Sequence, residues 1–138
     1  MKHSTIESVS LIEIPKISDK DGRGNLGVLE KETVPFEIKR VYYLFDVPSS
    51  AYRGGHAHIN QLELLVALSG SFEVKLNNGK SETLVTLNKP DKGLLIEKSV
   101  WRELENFSSG AVCLVLASDV FDETDYIRDF ETFKNQFS

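Results

Sequence analysis

The sequence predicts an all-β fold, a sandwich or barrel of many short strands, with one short helix at its C-terminus. Three observations lead there. Apolar or alternating runs recur at spacings of roughly 8–12 residues. Turn formers separate the runs. Near the end the apolar period changes from two to a helical one, at Tyr126, Ile127, Phe130, Phe133 and Phe137.

Each element follows in order. Val9-Ser10-Leu11-Ile12-Glu13-Ile14 alternates and stops at Pro15. Asp19-Lys20-Asp21-Gly22-Arg23-Gly24-Asn25 is a loop of turn formers. Leu26 to Glu30 reads as a strand, and Ile38 to Phe45 as a stronger one. Leu62 to Leu68 is an apolar strand ended by Gly70. In Ser71 to Leu76, Phe72, Val74 and Leu76 point in, and Glu73 and Lys75 point out. Asn77-Asn78-Gly79 signals a hairpin turn, and Ser81 to Leu87 is the return strand. Gly93 to Ile96 and Ala111 to Leu116 are buried strands. The helix is expected from about Asp125 onward.

At 138 residues the chain is expected to be one domain, 1–138, large enough to bury a core without staples. A net charge of −5 argues against a general nucleic-acid binder. No stretch approaches 18 apolar residues, and Met1-Lys2-His3-Ser4-Thr5 lacks an apolar signal core. The expectation is a cytoplasmic protein with no membrane partner. The single cysteine, Cys113, lies in an apolar run and reads as a buried structural thiol.

The chemistry concentrates in Arg53-Gly54-Gly55-His56-Ala57-His58, which holds two of the three histidines. In extended chain, residues i and i+2 face one side with roots about 7 Å apart. Both imidazoles then reach one small ligand and can exchange protons near neutral pH. The eleven lysines are scattered, whereas the five arginines, Arg23, Arg40, Arg53, Arg102 and Arg128, mostly adjoin glycine or aromatic residues. An acidic protein that binds an anion must gather positive charge locally, and arginine is the better fork for phosphate. Tyr42 and Tyr43 face opposite sides of their strand. One is expected to line the interior and the other to serve core or interface packing.

The segment His56-x-His58-x4-Glu63-x6-Gly70 resembles the first motif of cupins, small double-sheet jelly-roll barrels. Two histidines and a glutamate suffice in principle for an open zinc site. The region of the second cupin motif, however, offers Trp101-Arg102-Glu103 and no histidine, and Arg102 would repel a divalent cation. Residues 58 and 63 also fall on opposite faces of an uninterrupted strand, unless the chain breaks at Ile59-Asn60. No metal and no cofactor are expected.

The likeness narrows over six ordered blocks: Asp21 to Leu26, Pro35 to Phe45, Arg53 to His58, Gly93 to Leu104, Leu114 to Ser118 and Asp122 to Arg128. Together they resemble the nucleotide-linked 4-keto-6-deoxysugar 3,4-ketoisomerases, the FdtA-like or WxcM-like cupins. The resemblance implies a metal-free homodimeric cupin that moves a keto group from C4 to C3 of a dTDP-linked 4-keto-6-deoxyhexose, toward amino sugars of surface polysaccharides. It carries a catalytic role to His56 and His58. Arg102 is expected to stabilise the enolate oxygen or fix the sugar, or to pair with Glu103. Arg23, Arg40 and Arg53 are candidates for the diphosphate, with Tyr42, Tyr43 and Glu103 also at the substrate. Glu63 would orient a histidine. Which histidine serves carbon and which oxygen stays open, as does the C4 configuration of the product. The alternatives are a sugar-nucleotide 3,5-epimerase, a non-catalytic sugar-nucleotide binding module, and a metal-dependent cupin.

Overall fold

The computed structural model describes residues 2–137, with side chains from Thr5 onward. Thirteen strands, β1 (Lys2–Ile6), β2 (Val9–Glu13), β3 (Lys16–Ser18), β4 (Asn25–Gly27), β5 (Arg40–Phe45), β6 (Tyr52–His58), β7 (Glu63–Ser69), β8 (Phe72–Asn77), β9 (Glu82–Leu87), β10 (Lys92–Ile96), β11 (Trp101–Glu105), β12 (Val112–Ala117) and β13 (Tyr126–Ile127), precede one helix, α1 (Phe130–Phe137). A six-stranded sheet runs β1-β2-β10-β7-β12-β5, and a five-stranded sheet runs β13-β6-β11-β8-β9. The strand pairs of both are antiparallel. The two inner faces meet over a core that includes Leu65, Phe72, Val74, Leu94, Val100, Leu104 and Val115. This is the predicted all-β double-sheet architecture.

Two smaller cores explain the less regular sequence. β7 reads as a continuous apolar run because both its faces are covered. Leu64 and Val66 pack outward against Val34, with Leu29 and Phe36 beside them. On the outside of the other sheet, Ala57, Trp101 and Ile127 pack on Phe133 of α1. Burying one such phenylalanine contributes about 2–3 kcal/mol.

The structure departs from the sequence reading in two places. β4 is shorter than the strand expected over Leu26 to Glu30, because only Asn25–Gly27 finds a partner, in β3. The chain then turns at Glu30, whose carbonyl accepts from Thr33 N and Val34 N. The helix starts at Phe130 rather than near Asp125, because Tyr126 and Ile127 pair with His58 and Ala57 as β13. Asp129 instead caps α1, its Oδ2 accepting from Thr132 N at 3.0 Å.

Candidate active site

The glycine pair ahead of the histidines sets the geometry. Arg102 of β11 stands opposite His56, Glu103 opposite Gly54 and Leu104 opposite Arg53. Gly55 is therefore the extra residue of a β-bulge. Gly54 and Gly55 both take positive φ, +89° and +61°, which costs glycine little. Counting across the bulge, Arg53 and His56 fall on one face with Leu104 and Arg102. An unbroken strand would have put Arg53 on the other side.

That face opens onto a cavity of about 570 Å³ between the two sheets, a size suited to a small ligand. The six-stranded sheet contributes Arg40, Tyr42 and Leu44 of β5, Glu63 and Leu65 of β7, and Val115 of β12. The opposite wall holds Tyr52, Arg53, Gly54 and His56 of β6, and Arg102 and Leu104 of β11. Tyr126 and Arg128 complete the lining. Four of the five arginines thus surround one cavity of an acidic chain.

His56 is presented as a base. Its Nδ1 lies 3.1 Å from the Gly54 carbonyl. A carbonyl only accepts, so Nδ1 carries the hydrogen and Nε2 keeps its lone pair. Nε2 is buried and has no hydrogen-bond partner among the described residues. Burial first, then the charge of Arg102, holds the imidazole near pKa 3, so it stands unprotonated at neutral pH.

Behind it lies a buried polar chain. Glu63 is 2 % exposed and Arg102 is 1 % exposed. Arg102 Nη1 donates to Glu63 Oε1 at 2.5 Å, and its Nη2 donates to the Val100 carbonyl at 2.9 Å. The other carboxylate oxygen, Oε2, accepts from the Tyr42 hydroxyl at 2.8 Å and from Gln61 Nε2 at 2.9 Å. Burial alone would raise the Glu63 carboxyl; the Arg102 charge and the Tyr42 hydrogen bond outweigh it and hold it below the ordinary carboxylate range. Burial, then the Glu63 charge, pushes the Tyr42 phenol well above its usual value, so it stays a protonated donor.

His58 is fully buried and does not line the cavity. Its ring meets His56 edge to face at 4.8 Å and Tyr126 at 4.4 Å. Asp125 Oδ2 lies 3.1 Å from His58 Nδ1, and Gln61 Nε2 lies 3.3 Å from His58 Nε2. The chain does break at Ile59-Asn60, between β6 and β7, which brings Glu63 Oε2 to 3.6 Å from His58 Nε2 despite the parity of their positions.

His56, His58 and Glu63 bring their ligand atoms within 4.8 Å of one another. Their donors do not suit a cation. Glu63 has one oxygen on Arg102 and the other on Tyr42 and Gln61. A divalent ion would have to displace a buried guanidinium and take the Gln61-bonded nitrogen of His58.

The remaining sequence candidates separate cleanly. Arg40, Tyr42, Arg53, His56 and Arg102 gather at the cavity. Arg23 does not: it sits beyond β3 in the Asp19–Asn25 turn, 77 % exposed and paired with Asp19 at 2.8 Å. Tyr43 points away, 60 % exposed, because it alternates with Tyr42 along β5. Glu103 faces the outside of its sheet and accepts from Trp101 Nε1 at 2.8 Å; Arg102 pairs with Glu63 and not with it. Trp101 is core, packed on Phe130 and Phe133. Cys113 is buried, and burial pushes its thiol up.

Sequence reasoning passed over Tyr52 and Tyr126 in the lining, and Gln61 and Asp125 around His58, and gave Arg128 no place at the diphosphate. Arg128, which follows Tyr126 and Ile127, signalled itself only as one of the five arginines. It lies over the Tyr126 ring at 4.2 Å and pairs with Glu123. Nothing local marks Asp125, whose role depends on β13 folding back beside β6.

Comparison with known proteins places this architecture. Residues 7–138 match the family model FdtA, described as WxcM-like, C-terminal. A TDP-4-oxo-6-deoxy-alpha-D-glucose-3,4-oxoisomerase of Aneurinibacillus thermoaerophilus is 47% identical over 115 residues, 83% of each chain. Among solved structures, a point mutant of the 3,4-ketoisomerase QdtA from Thermoanaerobacterium thermosaccharolyticum, in complex with TDP-4-keto-6-deoxyglucose, is 40% identical. It superposes with a TM-score of 0.91 over 96% of both chains. The WlaRB TDP-quinovose 3,4-ketoisomerase from Campylobacter jejuni is 46% identical, with a TM-score of 0.89 over 94% of this chain and 99% of that one. On this match, which takes in nearly the whole of its length, the chain belongs to the FdtA family of WxcM-like, C-terminal domains.

Proposed function

We propose that the protein is a 3,4-ketoisomerase of a dTDP-linked 4-keto-6-deoxyhexose, working as a single cupin domain without a metal. Relatives at 40–47% identity carry that activity in their names. The observation that carries the reading is the buried, unpartnered Nε2 of His56, a residue that lines a cavity surrounded by arginines.

The C4 ketone acidifies the hydrogen on C3. His56 Nε2 takes that proton and leaves an enediolate over C3 and C4. The Arg102 guanidinium, fixed by Glu63 and Val100, supplies a preorganised positive charge to the developing oxyanion. Tyr42 serves the oxygens: its hydroxyl gives its proton to O4 as it takes the O3 hydroxyl proton, with Glu63 Oε2 holding the phenol in place. His56 finally delivers its proton to C4. Atoms balance without a redox group, and the product is the 3-keto sugar. Arg40, Arg53 and Arg128 at the cavity are assigned to the diphosphate. The oxygen work falls to Tyr42 because His58 has both ring nitrogens engaged away from the cavity.

The working form is a homodimer. Its support is the outer face of β5, where Val41, Tyr43 and Phe45 stand 54–60 % exposed in one row on an edge strand. The setting is the cytoplasm and the pathway one that makes deoxyamino sugars for surface polysaccharides. Among the described residues, no helix is long and apolar enough to cross a membrane. Incubation with the dTDP-linked 4-keto-6-deoxyglucose, followed by carbon NMR, tests the reading. The carbonyl is expected to move to C3. A carbonyl that stays at C4 with inverted neighbours would mean an epimerase, and no turnover would mean a binding module.

A further inference from the structure

Gln61 and Asp125 take no part in the scheme above, yet between them they occupy both ring nitrogens of His58. Asp125 belongs to the turn that leads into β13. Its Oδ1 accepts from Asn60 N at 2.8 Å, and its Oδ2 from Gln61 N at 3.2 Å and from His58 Nδ1 at 3.1 Å. A carboxylate bonded in this way only accepts, so His58 Nδ1 carries a hydrogen.

The other nitrogen is settled by Gln61, which is 2 % exposed. Its amide nitrogen lies 2.9 Å from Glu63 Oε2 and 3.3 Å from His58 Nε2. The amide orientation follows from Glu63: a flipped amide would set its carbonyl oxygen against a carboxylate oxygen. With –NH₂ on that side, one hydrogen goes to Glu63 and the other to His58 Nε2. Nε2 is then an acceptor. His58 Nε2 and Glu63 Oε2 stay 3.6 Å apart, beyond hydrogen-bond reach, with the amide bonded to both.

We propose that Gln61 is a positioning residue that holds His58 as a neutral imidazole protonated on Nδ1, and so keeps a second positive charge away from the base, His56. The proposal rests on the reading of His56 as the group that takes the C3 proton.

The surroundings of His58 make this arrangement consequential. Asp125 faces it from the turn before β13, and Glu63 from β7. Arg102 of β11 is bound to Glu63, Tyr126 of β13 covers the ring, and His56 adjoins it on β6. Two carboxylates flank the imidazole, one toward each nitrogen. Without the amide, Glu63 Oε2 is the nearest partner for Nε2, and a doubly protonated His58 would sit between two anions. That cation would stand about 4.8 Å from the His56 ring, on top of the charge Arg102 already supplies. At such a distance a unit charge in a partly screened interior slows proton uptake by roughly ten- to hundredfold.

Nitrogen NMR of the His58 ring, read without substrate at neutral pH, tests this directly. Wild type is expected to show one protonated nitrogen, Nδ1, and one bare nitrogen, Nε2. Gln61→Glu, of the same shape, should show both nitrogens protonated, and turnover should fall by about tenfold or more with the fold retained by circular dichroism. A doubly protonated His58 in the wild type overturns the proposal whether or not the variant folds. So does a folded Gln61→Glu with a bare Nε2 and full turnover. An inactive wild type with the expected ring state overturns the isomerase reading alone.

Discussion

Glu63→Gln removes one charge from the most enclosed arginine–carboxylate pair among the described residues. Arg102 and Glu63 are 1 % and 2 % exposed, and the guanidinium has no other carboxylate within reach among the described residues. Breaking a buried pair from one side costs about 3–5 kcal/mol, because the surviving charge stays buried without its counter-ion. Against a total stability of roughly 5–15 kcal/mol this is about a fifth or more. For a chain of this size it lowers the melting temperature by on the order of 10 °C. Urea unfolding followed by circular dichroism reads the loss, and the slope with urea should not change. A double variant, Glu63→Leu with Arg102→Met, should recover most of the stability and none of the turnover. The pair also has an acid signature. Glu63 titrates lower in the folded state than its ordinary value of 4.5, so its contribution is complete above that value and is lost as pH falls below it. Glu63→Gln should lack that part of the acid sensitivity. A Glu63→Gln protein within 1 kcal/mol of wild type would refute the reasoning.

Three further predictions follow from the same geometry. His56 is held near pKa 3 against an ordinary 6.5, so the unfolded chain binds the extra proton and stability falls as pH drops from 6.5 toward 3; acid titration of His56→Asn should show a shallower fall over that window. Gly54→Ala places a Cβ 3.1 Å from the Arg102 carbonyl at φ +89°, which should cost roughly 1–3 kcal/mol in chemical denaturation and loosen the bulge. Tyr42→Phe keeps the ring and removes the hydroxyl from Glu63; kcat should drop by roughly 10²–10⁴-fold with little change in KM, and a KM effect alone would reassign Tyr42 to binding.

The sheets were largely legible because their signals are local. Alternation in β8, the Asn77-Asn78-Gly79 turn and the apolar runs of β7, β10 and β12 each follow from a few consecutive residues. Short strands without a pattern, such as β3 and β13, exist only because a distant segment pairs with them. The helix start shows the same limit. Tyr126 and Ile127 fit the helical period, but pairing with β6 wins over local preference. At the site, His56, Arg102, Arg40, Arg53 and Tyr42 were found as chemistry-bearing residues in strands. Their partnerships were not, since Glu63 meets Arg102 across 39 positions and Asp125 meets His58 across 67. The bulge was written in Gly54-Gly55, yet its effect on the side of Arg53 emerges only from the register with β11.

The central claim is that His56 Nε2 moves hydrogen along the sugar. The most direct measurement uses the dTDP-linked 4-keto sugar deuterated at C3 and follows the label by NMR with wild type and with His56→Asn. Wild type should remove deuterium from C3 as the carbonyl shifts, and His56→Asn should leave the label at C3 after prolonged incubation. Loss of the label at an undiminished rate in His56→Asn would contradict the account.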